Sequence, residues 1–131
     1  MKEKLIKSRQ RVREFAEVYT PAHIVAAMCD LIPDEMWVPE KTFLEPTCGN
    51  GAFLAEILRR KLKRCKTEAE AKVAIGSIYG IDIQADNVQE SRDRMAKIIA
   101  EFFPDLDASG ILERNIIQAD SLHENLEEMW K

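Results

Sequence analysis

Cysteine, glycine and proline are scarce in this 131-residue sequence, numbering three, five and five. Cys29, Cys48 and Cys65 are odd in number and lack zinc-ligand spacing. Neither a disulfide framework nor a metal site is therefore expected, and unpaired thiols fit a reducing, cytoplasmic setting. So few glycines and prolines exclude collagen-like and low-complexity classes. No apolar run approaches the ~18 residues that cross a bilayer, so no membrane partner is expected. Met1-Lys2-Glu3-Lys4-Leu5 lacks the apolar run of a signal peptide. Positive charge is also in short supply, with 19 basic residues facing 23 acidic ones for a net −4. That balance argues against a free-standing nucleic-acid clamp, which needs concentrated positive charge. It leaves open a short basic stripe, or a partner domain that supplies the charge.

What is present is a globular composition, 46% apolar and 32% charged. The length suits one domain, able to bury roughly two thirds of its unfolded surface. Residues 1–19 form a basic arm, with six basic and three acidic side chains up to residue 17. Its apolar residues Leu5, Val12, Phe15 and Val18 are spaced loosely. The arm is either a partly packed helix or a strip lying on nucleic acid or on a further domain. Thr20-Pro21 then reads as a helix start, Thr20 as cap and Pro21 at the first position. Ile24, Val25, Met28, Leu31 and Ile32 follow at helical spacing, and Pro33 stops the run. Residues 33–40 read as a linker tucked against the core by Trp37.

Lys41-Thr42-Phe43-Leu44 is a first short strand, followed by the turn Glu45-Pro46-Thr47-Cys48-Gly49-Asn50-Gly51. Ala52 to about Lys63 reads as a helix with Phe53, Leu54, Ile57, Leu58 and Leu62 inward. Its outer side carries Arg59, Arg60, Lys61, Lys63, Arg64 and Lys66. These are either a solvated helix end, where cations are favoured, or a contact to phosphates. Residues 67–75 continue the helix or form a loop; the periodicity does not decide. Ser77 to Ile83 is a second strand, β-branched and bounded by turn residues. A third helix starts at Asp86 or Asn87, carries Val88, Met95, Ile98, Ile99, Phe102 and Phe103, and ends at Pro104. Asp107, Ser109 and Gly110 extend the break. Asn115-Ile116-Ile117-Gln118-Ala119 is a third strand, and the tail from Leu122 reads as a short acidic helix with Leu122, Leu126 and Met129 inward.

Helix, strand, helix, strand, helix, strand predicts an α/β fold with helices on a parallel sheet. Its three strands take the spatial order 3-2-1, the first half of a doubly wound domain. Ligands of such sheets bind beyond the carboxyl ends of the strands. Three polar clusters fall there: residues 45–51, Asp82, and Asp120-Ser121. Gly49 and Gly51 reach backbone angles closed to other residues and let a ligand approach the chain. The helix starting near Ala52 turns free N–H groups toward the same space. Gly49-Asn50-Gly51-Ala52-Phe53-Leu54 departs from the dinucleotide fingerprint, with Leu54 in place of its third glycine and the acid Asp82 31 residues after Gly51. No P-loop lysine follows the turn. Glu45 would repel a pyrophosphate and favour a cation. Asp82 is placed for a ribose diol and Asp120 for an adenine amine. S-adenosylmethionine carries all of these groups, with a sulfonium cation in addition.

Val18-Tyr19-Thr20-Pro21, Phe43 to Leu54, Tyr79-Gly80-Ile81-Asp82-Ile83 and Asn115 to Leu122 resemble, in uninterrupted order over roughly residues 11–122, four motifs of the adenine-N6 DNA methyltransferases of restriction–modification systems. The resemblance implies a Rossmann-like class I methyltransferase fold, present in part. Residues 20–131 would be an S-adenosylmethionine-binding domain lacking its catalytic half. The implied cofactor residues are Thr20, Glu45, Pro46, Thr47, Cys48, Gly49, Asn50, Gly51, Phe53, Asp82, Ile83, Asp120, Ser121 and Leu122. Thr20 and Glu45 would stand near the methionyl end, with the Gly49-Asn50-Gly51 turn under it. Asp82 would hold the ribose hydroxyls, Ile83 would pack on the adenine ring, Asp120 would accept from its amine, and Ser121 and Leu122 would border it.

The family's catalytic tetrad, Asn or Asp followed by two prolines and an aromatic, does not occur; no proline follows Pro104 and the only later aromatic is Trp130. No catalytic residue is assigned. The chain is expected to be one part of a longer or split enzyme, binding cofactor without methylating DNA alone. Double-stranded DNA would be met through C-terminal regions of the parent. The first strand would leave an exposed sheet edge, open to self-association. A half-domain of an RNA, protein or small-molecule methyltransferase is the alternative, as is a non-catalytic nucleotide-binding module. Cys48 has no histidine near it in sequence and reads as a lining residue. Tyr19 either borders the cleft or fills core.

Overall fold

The computed structural model describes residues 3–15 and 17–130; Lys2 of the basic arm and Lys131 of the tail lie outside them. A short helix α1 (Arg9–Phe15) leads into α2 (Ala22–Asp30), a 3-10 turn (Asp34–Trp37) and strand β1 (Phe43–Glu45). Helices α3 (Ala52–Leu62) and α4 (Glu68–Gly76) lead to β2 (Ile78–Asp82), and α5 (Ala85–Phe102) and α6 (Ser109–Asn115) lead to β3 (Ile116–Gln118). The strands form a parallel sheet ordered β1-β2-β3, with Phe43 opposite Ile78 and Gly80 opposite Ile116. This is the expected partial α/β fold, three parallel strands flanked by helices. The outer side of β1 is unpaired among the described residues.

The core lies mainly on one face of the sheet. Leu54, Leu58 and Leu62 of α3, Met95 and Ile99 of α5, and Leu112 of α6 close over Ile78 and Ile116. Side chains alternate across a strand, so Tyr79 and Ile81 face the other way. There the Trp130 ring meets Tyr79 edge-on at 4.9 Å, and its Nε1 donates to Arg114 O at 3.0 Å. On α2, Val25 and Cys29 are buried, while Ile24 and Met28, and Leu31 just after the helix, remain exposed. All three cysteines are free. Among the described residues no helix is long and apolar enough to cross a membrane.

Several local expectations change, each for a physical reason. Thr20 does not cap α2; Pro21 occupies that position, and the Glu3 carboxylate of the arm accepts from the Ala22 amide at 3.1 Å. Residues 67–75 fall mostly within a helix whose start is capped by Thr67. Thr67 Oγ1 accepts from Glu70 N at 3.1 Å, and Glu70 reaches back to the Lys66 amide at 3.2 Å. The break after Pro104 is shorter than expected, because Asp107 accepts from the Ser109 amide at 3.0 Å and starts α6. The tail is a series of turns instead of a helix. Asp120 and Asn125 accept from the amides of Leu122 and Glu127, and such local bonds compete with helix. Leu122, expected inward, is 88% exposed.

The basic run on α3 is divided. Arg60 pairs with Asp30 and Glu56, and Arg64 with Asp34. Lys61 points inward and is fully buried. Its Nζ donates to the carbonyls of Pro39 (3.1 Å) and Lys41 and to Ser77 Oγ (2.6 Å), which itself donates to Ala74 O. This ammonium therefore stitches the segment before β1 and the start of β2 to α3. Burial among neutral acceptors lowers its pKa from 10.5 to about 8.

Replacing Lys61 by Met leaves two carbonyls without a donor and is expected to cost about 1–3 kcal/mol at pH 7. Between about pH 8 and 10.5 only the unfolded wild-type chain holds the Lys61 proton. Wild-type stability relative to Lys61→Met should therefore rise with pH across that window and stay level outside it. Urea unfolding of both proteins at pH 7 and above checks both statements.

Candidate functional site

Because the strands are parallel, their carboxyl ends share one edge of the sheet. Glu45 ends β1, Asp82 ends β2, and Asp120 follows β3 by two residues. The turn between β1 and α3 rises beside them and is held from three directions. Cys48 N donates to Ile81 O at 2.7 Å, carrying the β1–β2 pairing one step past the strand. Gly49 N donates to Asp82 Oδ2 at 2.9 Å. Ser91 Oγ, on α5, donates to Gly49 O at 3.2 Å.

Both turn glycines have positive φ, +55° at Gly49 and +87° at Gly51. A Cβ on Gly51 would stand 2.8 Å from Ser91 Cα, and one on Gly49 would stand 3.2 Å from the Tyr19 ring. The absent side chains therefore make room for α5 and Tyr19, a packing reason not visible in the motif.

Two adjoining cavities open here, sharing Val18, Tyr19, Thr47 and Gly49 in their walls. The larger, about 610 Å³, is lined by Pro46, Thr47, Gly49, Asp82, Ile83, Asp120, Ser121 and Leu122 among the expected residues. The smaller, about 260 Å³, takes Thr20, Glu45, Thr47, Cys48, Gly49, Asn50 and Phe53. Gly51 alone of that set borders neither, being packed on Ser91.

The acids differ in what they still offer. Glu45 is pushed above the ordinary carboxylate range by burial, a shift opposed by the Thr47 amide and hydroxyl on its Oε1. Its Oε2 has no hydrogen-bond partner among the described residues. Asp82 is buried and heavily used: Oδ2 takes Gly49 N, and Oδ1 takes Gln84 N at 2.9 Å and Asn87 Nδ2 at 3.1 Å. Asp120 is held below its usual range by His123, whose Nδ1 lies 2.5 Å from Oδ2, and by the Leu122 amide. Burial pushes the Cys48 thiol up to about 12, which makes it a lining group and not a nucleophile.

Tyr19 is both core and wall. It is 6% exposed, and its hydroxyl lies 2.7 Å from Asn87 Oδ1 and 3.0 Å from Glu17 Oε1. Burial, then Glu17, raise its pKa to about 12. Sequence reading missed Phe15, Glu17 and Val18 as cavity walls. It also took Asn87 for a helix start, whereas Gln84 is the α5 N-cap and Asn87 is fully buried. A signal existed: Asn87, Ser91 and Met95 recur every four residues on the inward stripe of α5, and two of them are polar.

The chain is 33% identical over 104 residues to the type II methyltransferase M.VspI of Vibrio sp. (strain 343), covering 79% of this chain and 20% of that protein. It is 36% identical over 69 residues to the type II restriction enzyme and methyltransferase RM.BcgI of Heyndrickxia coagulans, covering 51% of this chain and 10% of that protein. The chain is thus a distant relative of restriction–modification methyltransferases and spans a fifth or less of the length of these two. No family model matches it, and no solved structure does.

Gly51→Ala should force the turn away from α5 and lower stability by about 2 kcal/mol or more, given the positive φ and the backbone contact. Thermal unfolding measures the loss. An unchanged midpoint would contradict the packing role given to Gly51.

Proposed function

We propose that the chain binds S-adenosylmethionine at the carboxyl ends of β1, β2 and β3, as the cofactor-binding part of a methyltransferase acting on adenine N6 in duplex DNA. The observation that carries this reading is one acid at the end of each of three adjacent parallel strands, all on the walls of two joined cavities. The distant similarity to restriction–modification methyltransferases supports it independently.

The residues fit such a ligand. A larger cavity of about 610 Å³ lies within the range of cofactor sites. Glu45, desolvated and with Oε2 open, suits the amino end, with Thr20 beside it. Pro46, Thr47, Cys48, the Gly49-Asn50-Gly51 turn and Phe53 form the floor under the methionyl portion. A carboxylate oxygen has two lone pairs, so Asp82 retains one on Oδ2 for a ribose hydroxyl. Ile83, 43% exposed, offers an apolar surface to the base, and Ser121 and Leu122 border it. Asp120 accepts from the exocyclic amine.

The bound cofactor would supply a methyl group activated on a sulfonium. This chain's residues hold and orient it, and their contribution to rate is alignment. The residues that would take hold of adenine belong to other parts of the parent, as does the DNA-facing surface, and the setting is cytoplasmic. The open edge of β1 is a place for another strand, from such a part or from a second copy.

Calorimetric titration should give saturable binding of adenosylmethionine, with NAD and ATP much weaker; no heat from adenosylmethionine on folded protein would refute the proposal. A cation favours the ionised form of Glu45. Affinity should therefore fall as pH drops through its raised carboxyl range, while Glu45→Gln binds roughly tenfold more weakly, without that pH dependence. The chain alone, given labelled cofactor and mixed-sequence duplex DNA, should transfer no label to adenine.

A further inference from the structure

The arm that precedes α2 carries the least expected part of the cleft. Phe15 and Val18 line the larger cavity with 43% and 56% of their surfaces exposed, an unusual amount of bare apolar area at a cavity wall. The arm is pinned to α5 at a sequence distance of almost eighty residues. Lys7 Nζ lies 2.8 Å from Asp86 and 2.9 Å from Glu90, and Arg11 Nη1 lies 2.7 Å from Asp86. Beneath these surface pairs sits Asn87, with no exposed surface.

The amide of Asn87 is saturated. Oδ1 accepts from Tyr19 Oη at 2.7 Å and Lys7 Nζ at 2.8 Å. Nδ2 donates to Glu17 Oε2 at 2.7 Å and Asp82 Oδ1 at 3.1 Å. Turned over, it would aim its oxygen at two carboxylates, so its orientation is fixed by charge. Aspartate at this position could not donate to either acid. One buried amide thus joins Asp82 of the cleft to Lys7, Glu17 and Tyr19 of the arm.

We propose that residues 3–15 and 17–19 are a clasp over the ligand cleft, supplying Phe15 and Val18 as ligand contacts, and that Asn87 is the positioning residue coupling clasp closure to the Asp82 carboxylate. This rests on the adenosylmethionine reading above. The ion pairs hold the arm against α5, and Asn87 passes that closure to the acid. Opening the clasp bares the cleft to solvent and frees Asn87, the one link among the described residues between Asp82 and the arm, so ligand affinity and arm closure rise and fall together.

The test is titration with adenosylmethionine of wild type, Lys7→Gln/Arg11→Gln, Asn87→Asp, the combined variant and Phe15→Ala. Each is measured at about 0.05 M and about 1 M salt, between which the screening length falls from above 10 Å to about 3 Å. The side chains of Lys7 and Arg11 are only 22% and 19% exposed, so thermal unfolding of every variant is measured first and each titration is run on folded protein. Wild type should lose affinity with salt. Lys7→Gln/Arg11→Gln should bind roughly tenfold more weakly at low salt and lose less further affinity with salt than wild type, the remaining loss being the screened attraction of the cleft acids for the cation, and Phe15→Ala should weaken binding with the full salt response kept. Asn87→Asp should match the charge variant, and the combined variant should be no weaker than either, the signature of one coupled unit. Wild-type-like affinity in Lys7→Gln/Arg11→Gln or in Phe15→Ala would overturn the clasp. Independent, additive losses would overturn the role of Asn87. A flat wild-type titration would instead refute the adenosylmethionine reading and the clasp with it.

Discussion

The hydrogen bond from the Gly49 amide to the Asp82 carboxylate joins the end of β2 to the turn that leaves β1, and the cleft is built around it. Charge-assisted bonds of this kind are among the stronger ones in proteins, worth about 1.5–3 kcal/mol. The Cys48–Ile81 backbone bond fixes the root of the turn and Ser91 fixes its crest. With these in place the start of α3 is fixed, and with it the positions of Asn50 and Phe53 in the smaller cavity. Asp82 is therefore a structural member of the site before any ligand arrives.

The two ends of the sheet have opposite electrostatic character. At the carboxyl end, Glu45, Asp82 and Asp120 gather around open volume. At the amino end a single cation, Lys61, is sealed among neutral acceptors. The acidic end invites a cationic or hydroxyl-rich ligand. The sealed end fixes where β1 and β2 begin, and so sets the height at which their last residues emerge. Helices cover the face carrying Ile78 and Ile116, whereas Tyr79 on the reverse face is met by Trp130 of the tail.

Much of this architecture was legible in the sequence. Strand order, the three helices with strong apolar stripes, and the grouping of Glu45, Asp82 and Asp120 follow from β-branched runs, helical spacing and the parallel crossover rule. Most of the failures turn on a polar side chain whose partner is distant or local in a way periodicity does not register. Lys61 looked like one more surface cation, because its acceptors are backbone carbonyls. Asn87 looked like a cap, because its partners Lys7, Glu17 and Tyr19 lie some seventy to eighty residues earlier. The tail looked helical from Leu122, Leu126 and Met129, but Asp120 and Asn125 bond locally. The arm as a cleft wall had no sequence signal beyond the odd spacing of Phe15 and Val18.

The separation between the arm and its anchor has a temporal side. Lys7 leaves the ribosome 79 residues ahead of Asp86, an interval of roughly 4–16 seconds at ordinary translation speeds of about 5–20 residues per second. Throughout that interval Lys7 and Arg11 have no partner on α5, which has yet to be synthesised. Tyr19 waits 68 residues for Asn87. The arm thus takes its place on the cleft wall only after α5 has formed, and the residues on that wall that are made earlier must wait for those made later.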